Sequence, residues 1–483
     1  MKRVLSLILC VGILLGLLPG ALAEAENNGI PVIRLEIGAD EFNRVLESPD
    51  HSYRAHGGTL SVEIPEGWTG EFGPVQELKD LALDYIRGRG NSTWLNAKKP
   101  FRFKLEKGAD LLGMGSNKHW VLLANACDAT LLRNTLMSYA GRAFGLEYTP
   151  KMVPADLYVN GSYMGSYVLA EHIRIGKNRV NIGDNGYLLS MEPYEEEPEE
   201  NVFATSRGER FLSEDPDFTE TPAGDRKAFL ADFLQKTEDA IFSGAAAEYM
   251  DLRSAAKYWW IEQFYINGDG AYTPSTYLYI TEGKLYWGPL WDFDLAPYVG
   301  DMGDPESAQG FDTIRTLWID RLRAFDEGFR QILAEEWNNL APILEGMAAD
   351  GGAIDRYAEE IRASREQNDA YGYGDEAVWT GEPEALIAGM KEWYRQRIAW
   401  ISEHLEELGS AKACVYFYAD GDYLSTAEVL LNPGTLAEGD FPPDPVKEGF
   451  TFEGWADEKG NLLAPGGTVI GETSVNAVFA PEK

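Results

Sequence analysis

The sequence predicts an α+β protein: a β-rich first part, a helical second part and a small all-β module at the C-terminal end. Three observations carry that expectation. Residues 24 to 125 alternate apolar and polar in short runs broken by turns. From about Asp225 to residue 409 the apolar spacing turns helical, and from 413 to 480 alternation returns with many Gly and Pro. A chain of 483 residues, 45% hydrophobic and 25% charged, has ordinary globular composition, which excludes a wholly disordered or fibrous protein.

The elements follow in order. Lys2 and Arg3, the apolar run Val4 to Leu18 and the small-residue site Ala21-Leu22-Ala23 read as a signal peptide, so the mature chain is expected to begin near Glu24. No later stretch is apolar enough to span a membrane, so no transmembrane segment is expected after cleavage. Cleavage removes Cys10 and leaves Cys127 and Cys414, too far apart in sequence to imply a disulfide. The five His residues lack metal-ligand spacing. Strands are expected at Pro31 to Ile37, Leu60 to Ile64, Phe101 to Leu105 and His119 to Ala124. A helix from Asp128, as N-cap, to Phe144 carries Leu131, Leu132, Leu136, Tyr139 and Ala143 on its apolar stripe. Asn160-Gly161 marks a hairpin between Ala155–Val159 and Tyr163–Ala170, and Gly186 to Met191 is a further strand. The acidic run 192–200 reads as an exposed loop. Helices follow at 225–243 and 251–267, then a hairpin around Glu282-Gly283, then helical patterns over 311–409. Domains are thus expected at 24–410 and 411–483, after a leader over 1–23.

Charge narrows the functional classes. Acidic residues number 78 against 42 basic, for a net charge of -36. That excess argues against nucleic acid or an anionic membrane as the main partner and favours neutral or basic ones. Against this background, residues 87 to 118 hold eight cations and two acids, a local charge of +6. The window opens Arg87-Gly88-Arg89-Gly90-Asn91-Ser92, where glycines let backbone N–H groups approach an anion such as a polyphosphate. Taken alone, the pattern also suits a tight turn beside a solvated basic face.

Two acidic motifs stand further on. Trp291-Asp292-Phe293-Asp294 follows a strand, and alternation would turn Asp292 and Asp294 to one side, toward a cation such as Mg²⁺ or Ca²⁺. Their plainer reading is a pair of turn-forming aspartates. Asn267-Gly268-Asp269-Gly270 ends an aromatic helix; a loop Asp there suits a catalytic base, or simply a helix C-terminal turn. A basic Gly loop, a lysine strand, a loop Asp and, 23 residues later, an Asp-rich metal motif follow the order of parts in a kinase-type phosphoryl-transfer enzyme.

Segments RGRGNSTW (87–94), KKPFRFKL (98–105), HWVLLAN (119–125), LLRN (131–134), LYVNGSYMGSYVLAEHI (157–173) and GKLYWGPLWDFDLA (283–296) resemble the CotH family of spore-coat-type and secreted proteins over roughly residues 30 to 400. The resemblance implies a two-lobed, atypical protein-kinase-like fold, with a β-rich N-lobe and a helical C-lobe. It also implies ATP- and Mg²⁺-dependent phosphorylation of protein Ser or Thr. Carried over, Asp269 matches the catalytic base, Asp292 the metal-binding Asp, and Asp294 a possible second ligand. Arg87, Arg89 and Asn91 would line the nucleotide phosphates, Lys104 or Lys99 would be the phosphate lysine, and Glu171 matches an acidic position near the nucleotide. Thr273, Pro274 and Ser275 stand where family members often carry an amide, which puts full activity in question. The tail, with Gly449-Phe450-x-Phe452-x-Gly454-Trp455, resembles an internalin-type B-repeat, which implies a small β module that acts as a spacer or contacts a bacterial cell surface.

The leading expectation is a secreted or surface kinase acting on basic, Ser-rich proteins. The alternative is a kinase-fold protein that binds without catalysing. A carbohydrate-active enzyme is weaker, because it needs two carboxyls about 5 to 10 Å apart across a sugar cleft and leaves the basic window idle.

Overall fold

The computed structural model describes residues 28–192, 198–220, 224–296, 308–311, 316–373 and 381–482. The expected leader lies outside them, as do residues 193–197 of the acidic run. The β-rich first part is a closed barrel. Its strands are β1 (Val32–Glu36), β2 (Thr59–Glu63), β3 (Leu78–Gly88), β4 (Phe101–Ala109), β5 (Asn117–Leu123), β6 (Met152–Val159) and β7 (Ser162–Glu171), in the order β1-β2-β3-β4-β5-β7-β6. Closure comes from parallel pairing of β1 with β6, Val32 opposite Asp156. The β6–β7 hairpin turns at Asn160 and Gly161, with φ of 50° and 78°, the left-handed pair that a two-residue turn needs.

Alternation sorts the barrel residues. Phe101, Phe103, Leu105, Trp120, Leu122 and Leu169 fill the interior. Val121, Leu123, Met152, Val168 and Ala170 point outward and join the core of the helical part. Strand β6 is buried at every residue because both its faces are covered. Short α1 (Ala39–Leu46), which seats Phe42 and Val45, falls where only strands and turns were expected.

The helix expected from Asp128 starts later, as α2 (Arg133–Ala143), and Asp128 is not its N-cap. Leu131 takes φ 58°, which interrupts the helical path, and the Asp128 carboxylate instead binds Thr130 N at 2.9 Å and Arg133 N at 2.9 Å. A second sheet joins β8 (Tyr187–Met191), β9 (Val202–Ala204), β10 (Arg210–Asp215), β11 (Tyr277–Thr281) and β12 (Lys284–Trp287) in the order β12-β11-β8-β10-β9. Glu192 is buried rather than exposed, because Arg210 binds its backbone on both edges.

The helical part is built from α3 (Gly224–Ser243), α4 (Leu252–Tyr265), α5 (Leu317–Phe325), α6 (Glu327–Ala348), α7 (Ala353–Glu360), α8 (Arg362–Ala370) and α9 (Pro383–Glu403), with α4 packed on β12 and α8 against β7 of the barrel. Their core is aromatic: Trp259, Trp260, Trp318, Trp337 and Trp393 are all essentially fully buried. Among the described residues, no helix is long and apolar enough to cross a membrane. A third sheet, β13 (Lys412–Ala419), β14 (Asp422–Leu430), β15 (Phe450–Asp457), β16 (Leu462–Leu463) and β17 (Thr473–Pro481), has its own core of Val415, Phe417, Trp455 and Val475. It meets the helical part where Asn432 donates to the carbonyl of Ala324 at 3.0 Å. No disulfide joins Cys127 to Cys414.

Candidate active site

A cleft of about 620 Å³ opens between barrel and helical part, lined by Arg89, Asn91, Asp269, Ser275, Asp292 and Asp294 among others. That volume suits a nucleotide-sized ligand. A larger hollow of about 690 Å³ lies where the C-terminal sheet meets the helical part, and none of the expected site residues line it.

The two acidic motifs meet through a local stitch. Helix α4 ends at Ile266 in a left-handed cap, φ 47°, which turns the chain outward. Asn267 then donates through Nδ2 to the carbonyl of Asp292 at 3.1 Å and accepts Gly270 N at 3.2 Å. Gly270 has no room for a side chain: a Cβ there would stand 2.4 Å from the Asp292 carbonyl oxygen. Ser275, in the stretch that departs from the family's amide pattern, donates its hydroxyl to Asp292 Oδ2 at 2.9 Å.

Asp292 and Asp294 do share the cleft, but not through strand alternation. Residues 288–293 are loop, and Asp292 has φ 69°. Convergence depends instead on the segment just before and within α2. Asn134 accepts Phe293 N at 3.0 Å and donates to Asn125 Oδ1 at 3.0 Å. Arg133, paired with Asp128 at 2.6 Å, donates to the carbonyl of Ala296 at 2.9 Å. Asn125, Arg133, Asn134, Asn267 and Ser275 had no role assigned from sequence. The first three sit in the segments HWVLLAN and LLRN, and that was the available signal.

Charge crowding follows from this geometry. Asp294 is 8% exposed; burial, then the Asp292 charge, push its carboxyl well up, and Arg89 offsets this only in part. Asp269 is raised by desolvation and by Asp292. Beneath the loops, fully buried Glu262 is pushed up to about 8 by burial, so it is a neutral acid near Tyr258 and Asn267. Hard carboxylate oxygens that lack full countercharge fit a divalent cation. Among the described residues no group of three or more His, Cys, Asp or Glu is placed to hold a metal.

The basic window behaves differently. Arg89 reaches the cleft, its guanidinium 5.3 Å from the Trp291 ring centroid, and Asn91 lines the rim. Neither candidate lysine does. Lys104 pairs with Asp84 at 2.7 Å on the outer barrel face. Lys99 donates to the carbonyls of Trp94 at 2.7 Å and Asn96 at 3.3 Å, bracing the loop from within. Buried Lys98 binds the carbonyl of Ser166, away from the lining. Glu171 pairs with Arg179 at 2.7 Å, not with a lysine. Arg87 is set back from the cleft on the outer face of β3, with Arg102 as its β4 partner. The glycines also serve packing: a Cβ at Gly88 would lie 2.4 Å from the Trp94 ring, and Gly90 has φ 82°.

A family model described as CotH kinase protein matches residues 86–401, which include every residue placed in the cleft and exclude the C-terminal sheet. No curated protein matches the chain.

Proposed function

The chain belongs to the CotH kinase protein family, and from that premise we propose that it is a protein kinase moving the γ-phosphate of ATP to a Ser or Thr hydroxyl. In this reading the barrel is the N-lobe and the helical part the C-lobe of a two-lobed kinase-like fold. Meeting of the Asp269 and Asp292–Asp294 loops opposite Arg89 carries the proposal. Asp269 accepts the hydroxyl proton as the oxygen–phosphorus bond forms and the bond to the leaving ADP breaks; its raised affinity for protons suits a base. Asp292 and Asp294 hold Mg²⁺, which neutralises phosphate charge when bound. Arg89 and the backbone around Gly90 and Asn91 orient the phosphates. Secretion, directed by the leader, and surface contact through the C-terminal B-repeat-like module complete the proposal.

The test is phosphate transfer from Mg-ATP to a Ser-rich protein or to the enzyme itself, wild type beside Asp269→Ala and Asp292→Ala. Transfer that survives both changes overturns the assignment. One observation favours the second reading, a binder without catalysis: among the described residues, no lysine lines the cleft. A thermal-shift titration separates the two, since a protein that gains no stability from Mg-ATP has no nucleotide site to use.

A further inference from the structure

Cations are scarce in a chain of net charge -36, yet two beside the cleft, Arg87 and Arg102, form no ion pair among the described residues. Arg87 and Arg102 are opposite residues of β3 and β4, both turned outward because their neighbours Ile86, Phe101 and Phe103 fill the barrel. Among the described residues neither forms an ion pair, and their Nε atoms are buried without a hydrogen-bond partner. Arg174, just past β7, joins them: burial and then the Arg102 charge depress its proton affinity, and Asp215 stands near without closing a pair. Asp84 is already taken by Lys104 at 2.7 Å. His119 and His172, with ring centroids 6.0 Å apart, complete the row. Burial and the nearby arginines hold both rings neutral, and each keeps a buried Nδ1 without a partner. The row starts at the cleft wall: Arg102 faces Val121 of β5, which packs in the core of the helical part, and Leu123, on the same face of that strand, lines the cleft.

We propose that Arg87, Arg102 and Arg174 form a second anion subsite beside the phosphotransfer cleft, and that it takes a phosphoserine of the substrate while the next hydroxyl of the same segment sits at Asp269. The substrate half of this rests on the kinase reading; the anion-binding half does not. Three guanidiniums that repel one another call for a dianion with several acceptor oxygens, which phosphate supplies and a carboxylate does not. The proposed reaction makes that group, so a Ser-rich tract phosphorylated once carries a ligand for the row next to its next acceptor. Net charge still favours a basic protein at long range, but the arginine row beside the cleft is positive.

The experiment uses fluorescently labelled Ser peptides identical except at one position, which holds Ser, Glu or phosphoserine within a few residues of the acceptor. Anisotropy titrations of the full chain without nucleotide are expected to show phosphoserine bound about tenfold more tightly than Ser, consistent with charge-assisted bonds. Arg102→Ala and Arg174→Ala should erase the difference, and Arg102→Lys, which keeps the charge, should retain part of it. Equal binding of Ser and phosphoserine overturns the subsite, and binding of Glu as tight as phosphoserine overturns the phosphate assignment. Loss of the Mg-ATP thermal shift in Arg102→Lys would give the row to the nucleotide and also end the proposal. Transfer to the Ser peptide is measured in parallel. Phosphoserine preference without transfer keeps the subsite and sinks the kinase reading, whereas transfer without preference does the reverse.

Discussion

The two charged regions most visible in the sequence meet opposite fates in the fold. The acidic loops at Asp269 and Asp292–Asp294, 23 residues apart, come together in one cleft. The basic window, continuous in sequence, is scattered: Arg89 enters the cleft, Arg87 and Arg102 stand outside it, Lys99 and Lys98 turn into the protein, and Lys104 pairs with Asp84. Alternation keeps Arg102 and Lys104 together on the outer face of β4, whereas Arg89, Lys98 and Lys99 lie in the connection between β3 and β4, whose turns aim each of them separately. Specific hydrogen bonds explain the meeting: Asn267, Ser275 and Asn134 each bind the Asp292–Phe293 segment. Local charge density in a sequence therefore says little about a site until the cross-links that gather it are known.

Breaking the acidic side should have the largest effect. Asp292→Asn keeps the shape and removes the charge, and should lower phosphate transfer by about a thousandfold with little change in melting temperature. If transfer persists, the acidic meeting point is not catalytic. Gly270→Ala comes next, because its Cβ would press on the Asp292 carbonyl at 2.4 Å. A loss of about 1–3 kcal/mol in stability is expected, with transfer down by about a hundredfold as Asp292 shifts; unchanged kinetics would show that the stitch does not position the loop.

Glu262→Gln sharpens the comparison by pH. Its folded carboxyl sits at about 8, above the ordinary 4.5, so the folded state holds a proton that the unfolded chain has lost. The Glu262 contribution is therefore fully present below pH 4.5 and lost as pH rises through about 8. Melting curves across that window should fall less steeply for the Gln variant than for wild type. Identical slopes would mean that Glu262 is already ionised beneath the loops. The smallest effect belongs to Lys104→Ala: an exposed pair with Asp84 is worth under about 1 kcal/mol, and transfer should not change. A large loss of nucleotide binding would return Lys104 to the site and undo the contrast.

How legible the molecule is depends on the range of the deciding contact. The hairpins at Asn160-Gly161 and Glu282-Gly283 were readable because two residues supply their own left-handed backbone, with φ of 50° and 78° at the first and 49° and 75° at the second. Strands β3, β9 and β10 were not anticipated; β3 loses simple alternation at a bulge between Leu83 and Tyr85. The false N-cap at Asp128 shows a second limit. Its side chain has the right chemistry for capping, but the buried Arg133 guanidinium at 2.6 Å and the left-handed Leu131 commit it to a different turn. In the tail motif Trp455 is buried in the small sheet's core, whereas Phe450 is 37% exposed.

From residues alone came the α+β pattern, the local turns and the chemical types that a phosphate-handling site requires. These depend on neighbours a few positions away, whose spacing and backbone preferences are written in the chain. Tertiary structure decided which cations face the cleft, that a parallel β1–β6 contact closes the barrel, and that Asn134 and Asn267 bring Asp292 beside Asp269. Those outcomes rest on contacts between distant segments, where burial and hydrogen-bond satisfaction select one arrangement that no single stretch encodes.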